Sequence, residues 1–152
     1  EALLSTDNLK IDQRPIFLDL AKEYSNTSKL IYISWLEKMG NLNDSEIKET
    51  ILPFFEVEDP AFKRFNFDKI LNKRVENIKQ SQVETKRRLS VVYTNLGIID
   101  RYQNNPEKAE KYYRKAIELW DSNYVAKNNL NVLLGEPLKK RSVIKQLFPE
   151  KK

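Results

Sequence analysis

A chain of 152 residues and 18.0 kDa suffices for one domain or two small ones, which excludes a large multidomain enzyme. With 40% hydrophobic and 32% charged residues it is too apolar for disorder, and with 3 Gly and 6 Pro too poor in turn residues for a many-stranded sandwich, so helix is the expectation. The absence of Cys and His removes disulfides, thiol redox chemistry, zinc sites and imidazole-based catalysis, and the net charge of +5 is uneven: residues 1–66 carry 8 Lys/Arg against 12 Asp/Glu, residues 67–152 carry 19 against 10.

Residues 1–13 have no clean apolar period and read as a frayed or docking arm. The start has no Met, no basic residue and no apolar signal core, so a processed product is expected, either cytoplasmic or, if a signal peptide has been removed, periplasmic or in the cell envelope. No run approaches the length of a membrane span. From Pro15, the residues Ile16, Phe17, Leu20, Ala21 and Tyr24 fall near helical spacing, and the polar run Ser25, Asn26, Thr27 and Ser28 is expected to interrupt them. Leu30, Ile31, Ile33, Trp35, Leu36 and Met39 predict a second, deeply buried helix, ended by Gly40 in a left-handed conformation.

Asn43 or Asp44 caps a third predicted helix with Ile47, Ile51, Leu52, Phe54 and Phe55 on its apolar side, and Pro53 should bend or end it. Glu56, Glu58 and Asp59 before Pro60 form an acidic turn, read as helix-start electrostatics rather than a catalytic carboxylate pair, leading into a short helix or knot around Ala61, Phe62 and Phe65. Residues 67–103 contain no proline and a single glycine. They make one very long helix or two with a joint near Ser81 and Gln82; the joint is the reading favoured here.

From Ser90 a sharper pattern begins. Tyr93, Leu96 and Gly97 are followed, across Asn104, Asn105 and Pro106, by Ala109, Tyr113 and Ala116; Ala126 and Leu130 continue in phase on the next helix. These spacings resemble the tetratricopeptide repeat, over about residues 90–123 with a partial second repeat after it. Physically, Gly97 costs about 1 kcal/mol in a helix interior, and close approach of a second helix carrying Ala109 and Ala116 compensates it. Asn105 should cap that second helix and Pro106 begin it. The sequence departs from the family at Asp100, Asp121 and Asn131, where tyrosine, proline and glycine are usual.

The expected fold is therefore all-α: antiparallel helical hairpins forming a fragment of a tetratricopeptide-like solenoid. The N-terminal helical region 1–66 serves as a degenerate repeat or cap, the basic region 67–152 carries the repeat, and an amphipathic segment 137–148 with Leu138, Val143, Ile144, Leu147 and Phe148 caps the end. The resemblance implies a partner-binding groove on the first helices, presenting Val91, Thr94, Ile98 and Arg101, then Val125, Asn128, Asn129 and Val132. The expected function is non-catalytic: another protein's helix or extended peptide bound in that groove, with self-association a further possibility, unless the chain's own helix 67–88 or C-terminal segment fills it. The alternative is a basic adaptor for nucleic acid or an anionic membrane surface, suggested by the charged C-terminal half and tyrosines such as Tyr102, Tyr112 and Tyr124. No cofactor and no metal are expected: the glycines are too few for a phosphate cradle, and residues 41–44 lack the spacing of a calcium loop.

Overall fold

The computed structural model describes residues 14–55 and 66–138. Over these it is all-α, with helices α1 (Arg14–Met39), α2 (Asp44–Ile51), α3 (Phe67–Tyr102), α4 (Pro106–Leu119) and α5 (Tyr124–Leu134), a 3-10 turn at Leu52–Phe54 and no strand. The expected arm at 1–13, the acidic turn with Glu56, Glu58, Asp59 and the aromatics to Phe65, and the cap from 139 onward lie outside the described residues. Pro137 and Leu138 are described and are not helical.

Two expected breaks are absent. Helix α1 runs through Ser25, Asn26, Thr27 and Ser28, because none of them denies the backbone a hydrogen bond, and two of the side chains are satisfied locally: Thr27 Oγ1 donates to Glu23 O (3.1 Å) and Lys29 Nζ to Asn26 Oδ1 (2.9 Å). Helix α3 likewise continues through Ser81 and Gln82, with 36 residues in all. Ser81 Oγ donates to Asn77 O (2.8 Å), and Gln82 Nε2 reaches across to the carbonyls of Met39 (2.6 Å) and Leu42 (3.0 Å). Gln82 thus satisfies the orphan carbonyls where α1 ends, a different task from the joint assigned to it.

The chain divides into two compact units, Glu1–Leu30 with Leu89–Lys152, and Ile31–Arg88. Neither border coincides with the change in charge at residue 66; both fall inside helices. In the unit Ile31–Arg88, α2 begins with a full capping box. Asn43 Oδ1 accepts from the N–H groups of Ser45 and Glu46, while the Glu46 carboxylate accepts from Asn43 N. The core is Ile47, Ile51 and Val75, with Met39, Leu42, Phe55, Leu71 and Ile78 against it. Pro53 ends α2 in the 3-10 turn as its missing N–H requires, but Leu52 and Phe54 are exposed rather than on the buried side.

Deep burial of the segment after Leu30 is also corrected. Leu30 and Ile31 are 65% and 61% exposed, and Ile33, Trp35, Leu36 and Met39 are only half-buried. The core of this unit is small and engages the end of α1 at Met39, so an all-round apolar helix finds partners on one side only. Gly40 does close α1, its N–H donating to Leu36 O (2.8 Å), but without a left-handed φ; that conformation occurs at Asn104 (φ 58°) and at Gly135 (φ 71°), where α5 ends.

In the other unit, α3 and α4 form an antiparallel hairpin closed by Asn105 N donating to Asp100 O (2.8 Å). Pro106 occupies the first turn of α4, but the Asn105 side chain makes no capping bond, correcting that expectation. Leu18 and Ala21 of α1 pack with Ile99 of α3. Ala109 and Tyr113 of α4 pack with Leu130 of α5, flanked by Ile98, Ile117 and Leu133.

Candidate functional site

The eight residues assigned to repeat packing, Tyr93, Leu96, Gly97, Ala109, Tyr113, Ala116, Ala126 and Leu130, are all buried. The reason is visible at Gly97. A β-carbon there would stand 2.5 Å and 2.7 Å from two ring carbons of Tyr113, closer than any real contact. The missing side chain is the space that the tyrosine ring fills. Beside it the Tyr93 and Tyr112 rings stack with centroids 5.8 Å apart, and Lys115 Nζ lies 5.5 Å over Tyr93.

Three helices meet at a buried polar hub. Asn123 Nδ2 donates to Ser90 Oγ (2.8 Å) and to Thr94 Oγ1 (2.9 Å). Ser90 Oγ donates onward to Ala116 O (2.6 Å) and Thr94 Oγ1 to Ser90 O (2.9 Å), while Asn123 Oδ1 caps α5 by accepting from Ala126 N (3.0 Å). Every donor in the set is used, which removes most of the cost of burying it. These bonds at 90 and 94, with Arg101 Nη1 at 3.5 Å from Asn129 Oδ1, set α5 parallel to the end of α3.

A second polar contact holds α1. Asp100, a departure from the repeat pattern, is 1% exposed and pairs with Lys22 Nζ at 2.8 Å. Lys22 also donates to Gln103 Oε1 (2.7 Å), and Gln103 Nε2 donates to Asp19 Oδ1 (3.0 Å). The other departures also have local tasks: Asp121 pairs with Lys127 (2.6 Å), and Asn131 Nδ2 donates to Pro137 O (2.7 Å).

The eight predicted groove residues do not form one uniform face. Thr94 is buried in the hub, and Ile98 is half-buried against Ala109, Tyr113 and Leu130. Val91 is exposed, and Arg101, Asn128 and Asn129 are half-buried. Val125 and Val132 stand 59% and 53% exposed. They lie seven residues apart on one side of α5, with Asn129 between them on the same side, so the Arg101 guanidinium reaches this strip near its middle. Asn129 Nδ2 is spent on Val125 O (2.9 Å). What remains accessible is thus an aliphatic strip on α5 with a cation beside its centre.

Sequence reasoning missed Ser90, Asn123 and Lys22. Asn123 carries the usual signature of a helix cap, an asparagine immediately before an apolar run at Tyr124, Val125 and Ala126, and that signal was available. Nothing local marks Lys22 as the partner of a residue 78 positions away.

Tyr113 Oη is buried without a hydrogen-bond partner. Its pKa is pushed up to about 12, first by burial, then by the Asp100 charge against the opposing effect of Arg101. Tyr112 is raised as well, by burial first and Asp100 next. Among the described residues no cluster of acidic side chains suits a metal. A shallow dip in the unit Ile31–Arg88, bordered by Asp44, Lys48, Asn72, Val75, Glu76 and Lys79, is partly closed by the Lys79–Asp44 ion pair at 2.8 Å. No helix of the described chain is long and apolar enough to cross a membrane. Comparison with family models, with curated proteins and with solved structures yields no match.

Proposed function

We propose that the chain is a non-catalytic protein-binding module or scaffold whose α3–α4 hairpin is a tetratricopeptide-like repeat and whose α5 begins a second, within a solenoid fragment. The partner, a helix or extended peptide of another protein, lies along the first helices α3 and α5. One observation supports this most: the packing positions of the hairpin are buried throughout, while Val125 and Val132 face solvent on α5. Isolated exposed valines are ordinary, but two on one side of a helix whose neighbours are fixed by a polar hub make a preformed apolar strip.

Photo-crosslinking from position 125 or 132 in the native cell, followed by mass spectrometry, tests the reading. A single protein captured through a short segment, and lost in Val132→Asp, is expected. Aliphatic contact should also tolerate salt. Capture of nucleic acid instead, with binding that falls steeply between low and moderate salt, would overturn the proposal in favour of a basic adaptor.

A further inference from the structure

Beside the strip on α5 stands a charge on α3 that no carboxylate among the described residues answers. Arg101 is half-buried in the last turn of α3; it makes one long hydrogen bond to Asn129 and lies 5.9 Å from the ring centroid of its neighbour Tyr102. Among the described residues it has no carboxylate partner. The nearby carboxylate at Asp100 is taken by Lys22. A guanidinium withdrawn from water and left without an anion is under-compensated, and a planar fork of donors matches a carboxylate well. Its position is equally telling, because the contact with Asn129 sets it between Val125 and Val132, which are about 10 Å apart along the helix axis.

Resting on the groove reading above, we infer that the bound segment is an amphipathic helix bearing an Asp or Glu side chain, flanked one turn to each side by an aliphatic residue. A helix laid along α5 presents such residues at positions i, i+4 and i+7, with the same span as the strip. The aliphatic residues cover Val125 and Val132, and the carboxylate between them accepts from Arg101.

The probe is a pair of capped, C-amidated helical peptides of Ala and Lys carrying Leu-x-x-x-Glu-x-x-Leu or the same sequence with Gln for Glu. Each is titrated into the full chain with NMR observation of valine methyls and the Arg101 side chain. The Glu peptide should bind at least about tenfold more tightly, and Arg101→Gln should erase that preference in a chain that remains folded by circular dichroism. Equal binding of both peptides at Val125 and Val132 would sink the carboxylate inference and leave the groove standing. If neither peptide perturbs those methyls, the inference and the groove fall together. The amidated terminus ensures that any preference comes from the side chain.

Discussion

At the scale of single residues, Gly97 and Tyr113 act as one unit. Alanine is the better helix former by about 1 kcal/mol, so in an unconstrained helix Gly97→Ala would stabilise. Here the added carbon meets a fully buried ring that has no room to withdraw. Gly97→Ala should therefore cost a net of about 1–3 kcal/mol in denaturant unfolding, and pairing it with Tyr113→Leu should recover part of that loss. Tyr113→Phe removes only a buried hydroxyl with no partner, so it should be neutral or stabilising by about 1 kcal/mol. The same hydroxyl has a pH signature. Because its folded pKa lies above the unfolded value of 10.0, at about 12, it costs the fold nothing through ionisation below pH 10, and stability is lost as pH rises from 10 through 12, where the unfolded chain ionises first. Alkaline unfolding should be correspondingly less steep for Tyr113→Phe in that window.

At the scale of elements, two caps of the same residue type predict unequal losses. Asn43 closes a box on an exposed helix start, and Asn43→Ala should cost about 1 kcal/mol, seen as faster amide exchange within α2. Asn123 caps α5 and also fills two hydroxyl acceptors in the hub, so Asn123→Ala should cost about 2–3 kcal/mol and accelerate exchange in α3, α4 and α5 together. Lys22→Met leaves the buried Asp100 carboxylate uncompensated; about 2–4 kcal/mol is expected, toward the lower part of the usual range because the lysine is partly solvated. Loss of protection along α1 would report it. The mistaken breaks at Ser25–28 and at Ser81 belong to this scale too. Polar side chains that can bond back to their own helix lower helix propensity slightly without ending a helix, whereas Pro53 and Pro106 marked true ends because they lack a donor.

For the whole molecule, the helical class and the α3–α4 hairpin were legible because small and aromatic residues recur at fixed spacing, and spacing survives translation into burial. Long-range polar contacts were not legible: Lys22 to Asp100 and Gln82 to Met39 join positions that no local pattern connects. Thr94 illustrates the limit at the candidate site itself. The repeat resemblance implied a groove position for it, but its hydroxyl is buried in the hub, where it accepts from Asn123. Val125 and Val132 carry the functional reading, and Val132→Asp should abolish partner capture while changing stability by less than about 0.5 kcal/mol, as measured by thermal unfolding beside the crosslinking assay.

The hub formed by Ser90, Thr94 and Asn123 has one more consequence. Greasy rods can slide past each other by a turn at little cost, since one aliphatic contact substitutes for another. Displacing α5 by a turn here would take the Asn123 amide away from its two hydroxyl acceptors in a dry interior, while the hydroxyls keep their own bonds to Ala116 O and Ser90 O. Sliding thus carries the cost of a buried unpaired amide, and one alignment is favoured.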